Sequence, residues 1–224
     1  MRPDSLRVLL LSAVCVLIAC PSPSPSPSPS PAPPGQDAGT PPPPELARSS
    51  RNNLRFKGPE RLASDFAAAL SLPVEQVCNE LGQYPCTTNV HTVALGGVEP
   101  YGLGVYEPLP FTGVTTPIAV DRVATAACAR RVTLDVTTPS EAIIFGGIEL
   151  NAQGRLTSRE GEPVKNAITS LYQRALLRDP TETEVGALLQ LATDIESSSS
   201  QAPGRDWMKA ACFVVLSSAE SIFF

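Results

Sequence analysis

Histidine, tryptophan and methionine are nearly missing from these 224 residues, at one, one and two copies, and aromatic residues make up only 5%. With a single histidine, any Ser-His-Asp or Cys-His mechanism has to run through His91, and no Gly-x-Ser-x-Gly elbow accompanies it. Charge is sparse as well: charged residues amount to 17%, the formal net charge is −5, and the densest basic site is the pair Arg130-Arg131. Without a Lys/Arg face to neutralise phosphates, nucleic acid is excluded as a partner. The haem-attachment pattern Cys-x-x-Cys-His is absent, and Gly102-Leu103-Gly104 lacks the third glycine and the βαβ surroundings of a dinucleotide fingerprint. No cofactor is therefore expected. So few aromatic side chains also predict a core built mostly of Ala, Val and Leu.

The first twenty residues are the most informative. Arg2 and Arg7 precede an almost wholly apolar run from Val8 to Ala19, too short to span a bilayer, and Leu17-Ile18-Ala19-Cys20 closes it with a small residue before a cysteine. This stretch resembles the lipobox of bacterial lipoproteins. The resemblance implies cleavage after residue 19, diacylation of the Cys20 thiol and acylation of its amino group; this covalent lipid would be the only attached group. Pro21 stands where an aspartate would retain a lipoprotein in the inner membrane. Outer-membrane placement follows as an expectation, with the periplasmic or surface-exposed side left open. Removing residues 1–19 leaves 15 basic and 21 acidic residues, a formal charge of −6.

Residues 20–50 read as the lipidated cysteine and a disordered linker. Half of the chain's 24 prolines fall between Pro21 and Pro44, largely as Pro-Ser repeats. Proline fixes φ and favours polyproline II at ~3.1 Å per residue, so these residues reach up to roughly 70 Å as a tether. Residues 51–224 are then one mainly helical domain with a small β-hairpin or ordered loop region. A sub-boundary is expected near 155–162, before a C-terminal three-helix unit at 163–224.

Four cysteines remain in that domain, Cys78, Cys86, Cys128 and Cys212. An even number in an oxidising compartment implies two disulfides with three possible pairings, of which Cys78 with Cys86 as a local clip and Cys128 with Cys212 as a long staple is the expected one. Cys78, Cys86 and His91 also read as Cys-x7-Cys-x4-His, but zinc sites space their cysteine pairs two to four residues apart, so no metal is expected.

Helix signals come first along the domain. Gly58-Pro59-Glu60 followed by Leu62, Phe66 and Leu70 predicts a helix over 59–70, and Pro73, Val74, Val77, Cys78, Leu81 and Gly82 predict a second over 71–82. Thr116-Pro117 opens a third, with Val120, Val123, Ala124, Ala127 and Cys128 as a small-residue stripe and Arg130 and Arg131 off it. Between them, 91–106 reads as short strands or an ordered loop. The Val, Ile and Thr content of 132–136 and 142–150 predicts a hairpin turning at Pro139-Ser140. Three antiparallel helices follow: one from Val164 to the stop at Arg178-Asp179-Pro180, one opened by a Thr181/Glu184 capping box, and one from Trp207.

Leu171 to Thr181 with Glu184, Trp207 and Leu216 to Glu220 resemble a helical module of unknown function that accompanies c-type cytochromes in bacterial envelope proteins. The likeness covers about a quarter of the chain and implies no haem here. Candidate functional residues are few. Tyr101, Tyr106 and Phe111, in a Gly- and Pro-rich loop, read either as a contact patch together with His91, since aromatics on rigid loops suit protein or glycan contacts, or as a cap on the helical core. Glu80 with Glu99, or Asp121 with Glu141, are the carboxylate pairs that would have to converge for glycan cleavage. The expected function is a membrane-anchored component of an envelope assembly that binds envelope proteins or glycan, without an enzymatic role; the alternative is an envelope enzyme such as a glycan hydrolase using those carboxylates or His91.

Overall fold

Proline starts four of the five long helices, in the first turn where a missing N–H costs nothing. In the computed structural model, which describes residues 55–108 and 113–224, these are α1 (Gly58–Leu70), α2 (Thr116–Thr137), α3 (Glu162–Ala175) and α5 (Pro203–Leu216). The signal, Cys20 and the Pro/Ser segment lie outside the described residues. The fifth, α4 (Glu182–Ser197), begins with the expected capping box: Thr181 Oγ1 accepts from Glu184 N at 3.3 Å, and Glu184 Oε2 accepts from Thr181 N at 2.7 Å. A short α6 (Ala219–Ile222) follows α5, and a two-residue hairpin pairs β1 (Asn79–Glu80) with β2 (Tyr84–Pro85). The domain is mainly α with one small hairpin.

The core is organised around α2. Val120, Val123, Ala124, Ala127 and Cys128 are all buried, and this side of α2 packs on α5, where Ala211 and Cys212 are buried as well. α5 also packs on α4 and α3, and α1 packs on α2 and α3. Trp207 of α5 is the largest side chain in the core; its indole N–H donates to Leu188 O on α4 at 2.8 Å and its ring meets Phe145 edge-on. The described chain closes on itself where Phe56 and Phe223 form an antiparallel bridge, with Lys57 N donating to Ile222 O at 3.1 Å.

Both disulfides join the expected partners, with Cα–Cα distances of 5.4 Å for Cys78–Cys86 and 5.7 Å for Cys128–Cys212. Chain-entropy reasoning gives about 2.5 kcal/mol for the short loop and about 4.5 kcal/mol for the long one.

Three expectations about elements fail. The helix expected over 71–82 is a 3₁₀ turn (Val74–Gln76) followed by the hairpin. To close Cys78 on Cys86 the chain must reverse within eight residues, and the reversal occupies Leu81 and Gly82, at φ 54° and 71°. Successive positive φ values are the signature of a tight hairpin turn, so Gly82 serves a turn where a helix stop was expected. The hairpin expected over 132–150 is also absent. Residues 132–136 belong to α2, and Pro139–Glu141 is a 3₁₀ turn. Thr133 and Thr137 are accommodated by donating their hydroxyls to Ala129 O and Thr133 O at 2.7 and 2.8 Å, so the β-propensity of the segment gives way to burial of the helix stripe. Helix α3 also ends earlier than the stop before Pro180, because Leu177 takes φ 57°.

The stripe runs further along α2 than expected and takes two charges inside. Arg131 and Asp135 form an ion pair at 2.7 Å with side-chain exposures of 6% and 0%. The Asp135 carboxylate also accepts the amide N–H groups of Ile143, Ile144 and Phe145 at 3.0, 3.1 and 3.0 Å. Those donors would otherwise need a strand partner, which explains why the segment after α2 stays irregular. Arg131 Nη1 donates to Leu70 O at the end of α1.

Asp135→Asn keeps the shape but leaves Arg131 as an uncompensated buried cation, so urea denaturation should show a loss of about 3–5 kcal/mol. A loss below about 1 kcal/mol, the range of an exposed pair, would remove Asp135 from its structural role.

Candidate functional site

His91 is positioned by the short disulfide. A π turn over Cys86–Val90 delivers it, with its backbone N–H donating to Cys86 O at 2.7 Å. The half-buried imidazole donates from Nε2 to Glu80 Oε1 at 2.7 Å, and Arg122 Nη1 on α2 donates to the same oxygen at 2.9 Å. The Arg122 hydrogen bond first, and the His91 hydrogen bond second, hold the Glu80 carboxyl below its ordinary range. Glu80 is thus a fixed carboxylate that clamps the hairpin to α2. A general acid for glycan cleavage needs the opposite shift.

Beside this clamp lies an open groove of about 550 Å³, between the hairpin and the exposed side of α2, lined by Cys78, Leu81, Ile118, Thr125, Ala126 and Ala129 with Glu80, Asp121 and Arg122 also on its walls. Its lining is mostly apolar, and Leu81 and Ile118 stand exposed on it. His91 is not part of the lining.

The carboxylates of the first pair are each engaged elsewhere, and those of the second stand far apart. Glu99 accepts from Gly102 N and Leu103 N at 2.7 and 2.5 Å and so closes its own loop, whereas Glu80 is committed to His91 and Arg122. Asp121 and Glu141 lie towards opposite ends of α2: the helix from Asp121 to Thr137 is about 24 Å long, against the 5–9.5 Å that glycosidase carboxylates require. Among the described residues no cluster of metal-ligating side chains occurs, and no helix is long and apolar enough to cross a membrane.

The aromatic loop is where the sequence reading put it. Tyr101 is 98% exposed and Tyr106 76%, on either side of Leu103 at 69%, above a bridge between Glu99 and Val105. Phe111 lies outside the described residues. The structure therefore separates the expected patch by chemistry: His91 serves the Glu80 clamp, while the two tyrosines are free at a loop tip.

A second charged cluster escaped sequence reasoning. Arg178 donates to both carboxylate oxygens of Glu184, at 2.9 and 2.7 Å, and to both of Glu220, at 2.9 and 2.8 Å, with its guanidinium over the Tyr172 ring. It ties the α3–α4 turn to α6. The capping-box spacing announced Glu184, but no local pattern links residue 178 to 220. Arg178 hydrogen bonds, followed by the Thr181 amide, pull the Glu184 carboxyl down to about 2, and Arg178 also lowers Glu220. Arg178 and Glu184 are half-buried and Glu220 is exposed, and the cluster reads as structural.

Comparison with protein-family models, with curated proteins and with solved structures gives no match.

Because Glu184 is depressed in the folded chain, its contribution to stability is fully present above its ordinary value near 4.5 and is lost as pH falls through about 2. Glu184→Gln should therefore be less stable than the parent at pH 6, with the difference closing by pH 2 in denaturation curves. A difference independent of pH would mean that the Gln variant loses only the neutral cap.

Proposed function

We propose that this chain is a lipid-anchored bacterial outer-membrane protein, held by an acylated Cys20 and a Pro/Ser tether, whose folded domain is a binding or structural component of an envelope assembly. Its partners are envelope protein or glycan. The anchor is supported by Leu17-Ile18-Ala19-Cys20 and the Pro/Ser run that follows. One observation carries the binding role: of the fourteen large apolar side chains exposed among the described residues, ten lie between Val74 and Ile118. Scattered apolar residues are normal on a surface, but concentration in one irregular segment marks a contact region. Charges rim the apolar groove in that region, as at a protein interface, where apolar contact is central and polar groups are peripheral.

The enzymatic alternative has the His91–Glu80 contact in its favour, while the lowered Glu80 carboxyl counts against Glu80 as the general acid. The two readings separate on one variant. His91→Ala should preserve the phenotype of cells carrying the parent chain; complete loss of function at normal abundance would transfer the role to catalysis.

Anchor and contact face are tested together in intact cells. Cys20→Ser should move the protein from the membrane pellet to the soluble fraction. A photo-crosslinking residue at Ile118 should give a discrete adduct with an envelope component, and one at Leu177, exposed but outside the 74–118 region, should give none. Equal labelling from both positions would defeat the assignment of the face.

A further inference from the structure

The loop at 99–106 differs from the groove in one respect that decides what it can touch. Apart from Glu99, it carries no ionisable charge: Pro100, Tyr101, Gly102, Leu103, Gly104, Val105 and Tyr106 follow in sequence. The Glu99 carboxylate is itself folded back onto the Gly102 and Leu103 amides. Four of the loop's seven backbone N–H groups are satisfied within it. Glu99 N and Val105 N each donate to the other residue's carbonyl at 2.9 Å, Gly102 N and Leu103 N donate to the carboxylate, and Pro100 has no N–H. A segment with these four N–H groups paired internally and a tip of Tyr, Leu and Tyr is suited to the headgroup boundary, where the remaining N–H groups of Tyr101, Gly104 and Tyr106 stay hydrated. Tyrosine favours the boundary of a bilayer, where its ring is buried and its hydroxyl stays hydrated.

We propose that this loop is a second membrane contact, with Tyr101, Leu103 and Tyr106 seated in the headgroup boundary of the bilayer. It rests on the lipid-anchored reading above. The 34 residues between Cys20 and Arg55 span at most roughly 100 Å even at the polyproline rise of ~3.1 Å per residue, so the bilayer is always within the domain's reach. Tethering makes loop insertion an intramolecular event, and a contact too weak to recruit a soluble domain is enough to orient a tethered one. The groove, which lies between the hairpin and α2 and is rimmed by Glu80, Asp121 and Arg122, is left for the protein or glycan partner.

The test uses the full lipidated chain purified from membranes and reconstituted in phosphatidylethanolamine/phosphatidylglycerol vesicles with or without chain-brominated lipid. Leu103→Trp places a reporter at the exposed tip, and the only native tryptophan, Trp207, is buried in the core and serves as the internal reference. The reporter should emit at shorter wavelength in vesicles and lose about half its intensity to brominated chains, as a ring seated roughly 5–10 Å into the boundary would. The parent chain should show no change. Tyr101→Ser with Tyr106→Ser should reverse the quenching of the reporter. Unquenched, water-like emission overturns the proposal, as does quenching that survives loss of both tyrosines. A protein adduct from a crosslinker at Tyr106 without lipid quenching overturns it in favour of a protein partner. Mass spectrometry of the N-terminal peptide reads acylation of Cys20 separately: a lipidated chain with an unquenched loop defeats this inference alone, and an unlipidated chain in the membrane pellet defeats the anchor on which it rests.

Discussion

The rest of the domain depends on the close approach of α2 and α5. Alanines and cysteines at the contact, Ala124, Ala127 and Cys128 facing Ala211 and Cys212, are fully buried, and the Cys128–Cys212 bond fixes them side by side. A chain with few aromatic residues has little large apolar surface to bury, so its core must come from short side chains at short interhelical distance. The long disulfide complements that economy, because it limits the unfolded chain by closing a loop of 84 residues. From this pair the other helices take their places: α1 on α2, and α3 and α4 on α5.

Arginine is used mainly inside this framework. Arg131 and Arg174 converge on the C-terminus of α1, donating to Leu70 O and to Ala69 O and Ser71 Oγ, where a helix leaves carbonyls without partners. Arg178 joins α6 to the capping box of α4. These cations are spent on helix ends and carboxylates. The single histidine follows the same logic, as part of the Glu80–Arg122 clamp that attaches the hairpin to α2.

The irregular segment between α1 and α2 is different in kind. It contributes few buried side chains, is pinned by the short disulfide, the Glu80 clamp and the bond from Thr116 Oγ1 to Ala94 O, and directs most of its apolar side chains outward. A scaffold that pins an apolar, glycine-rich segment at its surface suits the contact role proposed for it. The apolar groove and the tyrosine loop are thus two surfaces of different chemistry.

Much of this was legible in the residues themselves, wherever the information is local. Proline in the first turn, the Thr181/Glu184 spacing and the stripe from Val120 to Cys128 each state a backbone preference or a buried face within a few positions. That made the mainly helical class, the start of α2 and the cap of α4 readable. The disulfide partners were chosen among three pairings, and composition left Tyr101 and Tyr106 open between an exposed patch and a cap on the core, which the structure decides for exposure. What only the tertiary structure decided depends on residues far apart in the chain. Arg131 and Asp135 look like surface charges until the α1 terminus and the 143–145 amides arrive to satisfy them. The segments 71–82 and 132–136 carry enough helical and strand character, respectively, to mislead, and closure of Cys78 on Cys86 and burial along α2 override it. Local sequence fixes which conformations cost little; which one is populated is set by the partners that packing brings to each buried donor, charge and methyl group.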